Sequence, residues 1–197
     1  MELFDYIDVD NYNETRNADD KILNVILDYL NLNALSKCLD VGCGTGNYTI
    51  ETYKRGYPIV GLDPSKTMLE KARSKCDGNV IELILDCVEE IPYTHSEFDG
   101  VFSVCAIHHF KDIDLAFKEI YRVLKDNGKL VMFTSTHIQI DGYWLNHYFP
   151  RIIKNSKRNR LRNTDVIASK LMKAGFKNIE TKIYVTDEKQ KIYFLIA

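Results

Sequence analysis

Apolar positions recur along the chain in two rhythms that alternate with each other. After a polar and aromatic stretch at 1–18, Ile22, Val25, Ile26, Tyr29 and Leu30 repeat at helical spacing, predicting an amphipathic helix from Asp19 to about Leu32. A short apolar run at about 37–41 reads as a first strand, and a helix follows through Tyr53, closed by Gly56. Residues 58–62 read as a second strand, after which Ser65 caps a helix carrying Met68, Leu69 and Ala72. Val80 to Leu85 is a near-continuous apolar run of the kind buried in parallel sheets. A fourth strand is expected at about 99–105, a long helix at 112–125 stopped by Asp126-Asn127-Gly128, and a fifth strand at 130–134. Thr164 is expected to cap one more helix, ended by Gly175, and strands at about 178–186 and 191–197 read as a closing antiparallel hairpin.

Strand and helix in strict alternation predict an α/β fold. The expected form is a Rossmann-like, mostly parallel seven-stranded sheet with helices on both faces and that antiparallel C-terminal hairpin. No internal repeat or long linker divides the 197 residues, so they are expected to form one domain. Only residues 137–163 break the rhythm. They are aromatic from Tyr143 to Phe149 and then basic from Arg151 to Arg162, twelve residues with six cations and no acid.

The first strand runs into Gly42-Cys43-Gly44-Thr45-Gly46, three glycines in five residues. Glycine costs stability unless its conformation is needed, so such a turn implies tight bending and close approach of a ligand to the main chain. The spacing is G-x-G-x-G. The dinucleotide fingerprint needs G-x-G-x-x-G, and Asn47 occupies its third position here. The loop therefore suits a nucleoside ligand better than one carrying a pyrophosphate. Asp40, Asp63 and Asp86 stand at or near the carboxyl ends of three successive strands, the edge where open α/β sheets bind ligands. Asp63 lies 21 residues after Gly42, where a carboxylate can accept from both hydroxyls of a ribose; a carboxylate at a helix N-terminus is the competing use. Asp86 could accept from an exocyclic amine such as that of adenine.

Composition narrows the class. The hydrophobic fraction of 45% and charged fraction of 27% are those of an ordinary globular protein. Five cysteines without a C-x-x-C pair suggest small core residues and predict neither a disulfide framework nor a metal site. The acidic Met1-to-Tyr6 start has no apolar h-region, and no apolar run approaches membrane-spanning length, so a cytoplasmic protein without a membrane partner is expected. The net charge of −2 is unevenly spread: residues 1–136 carry 14 Lys+Arg against 23 Asp+Glu, and residues 137–197 carry 12 against 5. The C-terminal third is thus built to face something different from the rest.

Taken in order, several marks resemble the class I S-adenosylmethionine-dependent methyltransferases, in the small-molecule group that includes quinone-ring enzymes. They are Leu39-Asp40-Val41-Gly42-Cys43-Gly44-Thr45-Gly46, Gly61-Leu62-Asp63-Pro64-Ser65 with Met68-Leu69, and Asp86 before Ile91-Pro92. Phe98-Asp99-Gly100-Val101 and Arg122-Val123-Leu124-Lys125 with Gly128-Lys129-Leu130 complete the set, which covers about residues 4–135 well and 164–197 loosely. The resemblance implies S-adenosylmethionine as the cofactor and S-adenosylhomocysteine as its product. It implies that the Gly42–Gly46 backbone, with Asp40, Cys43, Gly44 and Gly46, holds the methionine part and Asp63 the ribose. Leu62 and Met68 would line the adenine pocket, and Asp86 with the Cys87 amide would read the adenine edge. Tyr12 and Arg16 resemble an N-terminal element closing over the cofactor, and 137–163 a substrate lid. No metal is implied.

Methyl transfer from a sulfonium is an in-line displacement with a neutral leaving group, so holding donor and acceptor collinear and dry supplies most of what is needed. A general base is required only when the acceptor must lose a proton; His108 and His109, just past the fourth strand, are the candidates, His108 first. The acceptor is expected to be a small molecule; the basic run could steer an anionic one, although a solvated helix face is the first reading of such a run. Base methylation of RNA is a second reading of that run. Against it, the strand four end, Cys105-Ala106-Ile107-His108, lacks the Asn/Asp-Pro-Pro-aromatic motif of amino-group base methyltransferases and the Pro-Cys of cytosine C5 enzymes. A binding protein that no longer transfers methyl groups is a third. Tyr121 and Lys125 match the Tyr-x-x-x-Lys spacing of short-chain dehydrogenases, but the glycine pattern of that family is absent.

Overall fold

The computed structural model describes residues 17–76, 78, 80–134, 163–185 and 191–197. Tyr12, Arg16, the 137–162 part of the expected lid and the basic run lie outside them. Seven strands form one sheet: β1 Cys38–Val41, β2 Ile59–Asp63, β3 Glu82–Leu85, β4 Phe98–Val104, β5 Leu124–Thr134, β6 Glu180–Val185 and β7 Lys191–Ile196. Their order is β3-β2-β1-β4-β5-β7-β6, with β3, β2, β1, β4 and β5 parallel and β7 antiparallel to both β5 and β6. The helices are α1 Asp20–Leu30, α2 Asn47–Lys54, α3 Lys66–Ser74, α4 Ile113–Val123 and α5 Thr164–Ala174.

The two-residue period of the strands sorts the core into two layers. Leu39 and Val41 of β1, Val60 and Leu62 of β2, Val101 of β4 and Leu130 and Met132 of β5 face one side, under Phe117 and Ile120 of α4 and Ile167 and Leu171 of α5. Cys38, Ile59, Phe102, Val131 and Phe133 face the other, against Ile22, Ile26 and Leu30 of α1. Each large side chain so buried contributes ~1.5–3 kcal/mol. Local chemistry sets the helix ends. The Asp19 side chain accepts from the Lys21 and Ile22 amides to start α1, and Asn31 stops it in a left-handed conformation. Asp112 starts α4 in the same way, accepting from Asp114 and Leu115.

Four expectations are corrected. β3 begins at Glu82 and is not buried: Val80 is 91% and Leu85 51% exposed, because β3 is the outer strand of the sheet and pairs only with β2. Apolar composition reports what a strand could bury, and the strand order decides what covers it. α4 ends at Val123, before the Asp126-Asn127-Gly128 signal. Leu124 turns extended to pair with Phe98, while the Arg122 and Val123 carbonyls accept from Ser96 and Glu97. The Asp-Asn-Gly turn is instead an excursion inside β5, where the register against β4 shifts between Phe98 and Gly100. Finally, Asn163 occupies the cap position of α5 without a side-chain bond, and Thr164 is its first residue.

Candidate active site

The strand order reverses between β1 and β4, so their carboxyl ends flank a crevice, and the glycine turn opens into it. The Gly42 and Cys43 amides both donate to the Leu62 carbonyl, at 2.8 and 3.1 Å, binding the turn to the end of β2. Gly42 has φ +74°, and a Cβ there would lie 2.4 Å from the Ala106 Cβ. Gly44 has φ +55° with open space where a side chain would be. The first glycine is thus required by packing and conformation together, the second by conformation alone. Gly42→Ala is expected to lower stability by ~1–3 kcal/mol through overpacking alone, and Gly44→Ala by less, which thermal unfolding of the two variants would compare.

Two cavities meet at this turn. The first is lined by Val41, Leu62, Asp63, Pro64 and Met68 from β1 to α3, by residues 86–89 after β3, and by 104–106 and 108–111 after β4. The second lies on the α1 side and is lined by residues including Asn17, Asp19, Asp40, Thr45, Tyr48 and Phe133. Gly42, Gly44, Val104 and Cys105 line both, so the two are halves of one cleft bent over the glycine turn. Its lining is acidic: Asp19, Asp40, Asp63, Asp86 and Glu89 against Lys111 and two histidines. A wider groove at the opposite end of the sheet includes Arg122 and Lys125, whose charges are already paired with Glu119 and Asp99.

Each strand-end carboxylate has a definite set of partners. Asp40, 2% exposed, accepts at 2.6 Å from the Thr49 hydroxyl of α2. Burial pushes its carboxyl up to about 7, against the Thr49 hydrogen bond and with the help of the nearby Asp63 charge. Asp63, 7% exposed, accepts from the Gly44 amide at 2.8 Å through Oδ2 and from the Ser65 amide at 2.9 Å through Oδ1. It therefore ties the glycine turn to the start of α3. Of the two uses weighed from the sequence, the carboxylate at a helix N-terminus is the one these bonds display. Asp86 Oδ1 accepts from the Cys87 amide at 2.8 Å. Asp86 and Cys87 thus stand side by side on the wall of the first cavity, the amide bonded to the carboxylate.

Among the other expected residues, Leu62 and Met68 are buried walls of the first cavity. Cys43 lines the second, its thiol pushed well up by burial and by the charges of Asp40 and Asp63. Gly46 lines neither. It has φ +73°, caps α2, and a Cβ there would meet the Ala72 Cβ at 3.0 Å, so its part is the close approach of α2 and α3. His108 and His109 sit in a single 3₁₀ turn, Ile107–His109, with ring centroids 3.9 Å apart, and both line the first cavity.

The methyltransferase domain model matches residues 39–132, the stretch from β1 into β5. Demethylmenaquinone methyltransferase of Staphylococcus carnosus is 30% identical over 171 residues, covering 76% of this chain and 71% of that one. The chain belongs to the class I S-adenosylmethionine-dependent methyltransferase family. A solved structure of an Anabaena variabilis protein from an antibiotic biosynthesis pathway is 28% identical, with a TM-score of 0.76, covering 86% of this chain and 66% of that one. Phosphoethanolamine N-methyltransferase 2 of Haemonchus contortus, solved with S-adenosylmethionine, shares the fold at 21% identity and a TM-score of 0.72, covering 90% of this chain and 51% of that one. The chain spans between 34% and 71% of the length of four curated methyltransferases it matches. Among the described residues no helix is long and apolar enough to cross a membrane, and no group of three or more His, Cys, Asp or Glu could hold a metal ion.

Within this family fold, several members of the site escaped the sequence reading. Thr49 lies nine residues beyond Asp40, and only the return of the chain through α2 brings its hydroxyl back to that carboxylate. Cys105 takes a left-handed conformation (φ +53°) at the point where the two cavities join. Glu89 accepts from the Lys111 and Asp112 amides across the mouth of the cleft. An acid three residues past Asp86, in a turn, was the one available signal for it.

Proposed function

We propose that the chain transfers a methyl group from S-adenosylmethionine to a small-molecule acceptor, a reduced quinone-type ring being the class its relatives' names suggest. The observation that carries this reading is the bent, acid-lined cleft over a glycine turn, which fits a cationic nucleoside with an amino-acid arm. Bound S-adenosylmethionine would supply an activated methyl on a cationic sulfur, with a neutral thioether as the leaving group.

The chain's residues would do the rest by binding and orienting. Asp63, on the wall of the first cavity at the end of β2, would accept from the ribose hydroxyls. Leu62 and Met68 would enclose the base, and Asp86 would accept from its exocyclic amine. In the second cavity the acids Asp19 and Asp40 face no Lys or Arg among the lining residues, which suits the ammonium end of a methionine arm. Tyr12 and Arg16 would close over it, and the 137–163 segment would cover the acceptor. His108 or His109, on the wall after β4, would take the proton of an acceptor hydroxyl where one must be lost.

Incubating the protein with S-adenosylmethionine and a short-chain demethylmenaquinol, and measuring S-adenosylhomocysteine and methylated product by mass spectrometry, tests this directly. Both products are expected to form together. Binding of S-adenosylmethionine without methylation of any quinol offered would refute the acceptor class, and failure to bind it would refute the activity.

A further inference from the structure

The first cavity has two facing walls built by different loops. Asp86, Cys87, Val88 and Glu89 follow β3, and His108, His109, Phe110 and Lys111 follow β4. Glu89 joins them. Its Oε1 accepts from the Lys111 amide at 2.6 Å and from the Asp112 amide at 3.0 Å. A second link runs back, with the Lys111 ammonium 3.8 Å from the Cys87 sulfur. Asp112 then caps α4, so the carboxylate grips the wall where it enters a helix that is firmly packed in the core. One oxygen receiving two consecutive amides fixes both the direction and the depth of that wall, and the negative charge suits a helix N-terminus.

We propose that Glu89 is a positioning residue that couples the base-facing loop to the His108–Phe110 wall, so that filling the donor side of the cleft sets the acceptor side. The inference rests on the donor-site reading above. A ligand that orders Asp86 and Cys87 orders Glu89 three residues on, and through it the two amides that end the opposite wall. The reach of the side chain is what matters. Glu89→Gln keeps an oxygen at the same distance and loses the charge, whereas Glu89→Asp keeps the charge and withdraws it by one methylene.

The test is an NMR titration of S-adenosylhomocysteine into wild type, E89Q and E89D carrying histidines labelled at the ring carbon between the nitrogens. His95, in the groove at the far end of the sheet, serves as the reference. In wild type and E89Q the His108 and His109 signals are expected to move on binding while His95 stays. In E89D the ligand is expected to bind with an affinity loss on the order of fivefold, and the two histidine shifts to be largely lost at saturation. E89D shifting both signals as wild type does would overturn the proposal. So would an impaired E89Q beside an intact E89D, the order a purely electrostatic role demands. If wild type bound no S-adenosylhomocysteine at all, the donor-site reading would fall first and this inference with it, a result distinct from binding without coupling.

Discussion

Asp63→Ala is expected to abolish measurable binding of S-adenosylmethionine and S-adenosylhomocysteine while leaving a folded protein. In the folded chain its two oxygens hold the Gly44 and Ser65 amides, joining the glycine turn to the start of α3. Hydrogen bonds to a charged group contribute ~1.5–3 kcal/mol each, so removing the carboxylate loosens the turn before any ligand arrives. The ribose contacts are lost as well. Together these effects predict an affinity loss of at least ~100-fold, since each 1.4 kcal/mol is a factor of ten. Asp63→Asn keeps one acceptor oxygen and turns an amino group toward the other amide, so it should fall between the two. Calorimetric titration of both ligands into all three proteins, with thermal unfolding alongside, reads both consequences. An alanine variant that bound within tenfold of wild type would show that Asp63 is a structural tie alone.

Asp63 shows where the sequence was informative and where it was not. Its interval from Gly42 and its place after an apolar strand marked it as a strand-end acid near a glycine turn, and the fold put it there. Parallel strands announce themselves because both faces must be covered, so Leu39, Val60 and Val101 sit in continuous apolar runs. What the sequence does not carry is neighbour order. β3 reads as buried by composition, yet at the edge of the sheet Val80 and Leu85 face solvent. The end of α4 was misplaced for a related reason. Asp126-Asn127-Gly128 has true turn chemistry, and Asn127 is in the left-handed region, but the pairing of Leu124 with Phe98 stops the helix earlier. Pairing with a strand 26 residues upstream overrides a local stop signal.

The candidate site divides in the same way. Gly42, Gly44, Leu62, Met68, Asp86, His108 and His109 all line the first cavity, Met68 from the first turn of α3 and the others from strand ends or the loops that follow them. Gly46 carries the motif but packs against Ala72. Thr49, Glu89 and Lys111 carry no motif at all. Thr49 enters through its hydroxyl on Asp40, and Glu89 and Lys111 through bonds between the loops after β3 and β4, contacts that only the fold brings together.

Asp40 is expected to make cofactor binding depend on pH. Burial raises its carboxyl from 3.8 to about 7, so between those values the folded chain holds a proton that the unfolded chain has released. Its contribution to stability is therefore complete below about 3.8 and falls as pH rises through about 7, by on the order of 4 kcal/mol in the limit. A cation in the second cavity reverses the preference, because it favours the ionised carboxylate. S-adenosylmethionine affinity is thus expected to rise with pH from 5.5 toward 7.5 and to level off above about 7, and binding at pH 6 should release a proton from Asp40. Thr49→Val removes the hydroxyl that donates to the carboxylate at 2.6 Å, so it should move the midpoint upward; a shift of one unit would weaken binding near neutral pH by up to ~tenfold. Asp40→Asn cannot titrate and should flatten the profile. Calorimetry in two buffers of different ionisation enthalpy separates proton release from affinity. A wild-type profile flat from 5.5 to 7.5, or one that Asp40→Asn leaves unchanged, would show that Asp40 does not face the bound cation. A midpoint that moves upward in Thr49→Val and vanishes in Asp40→Asn would identify the buried carboxylate as the group that meets the positive charge of the methyl donor.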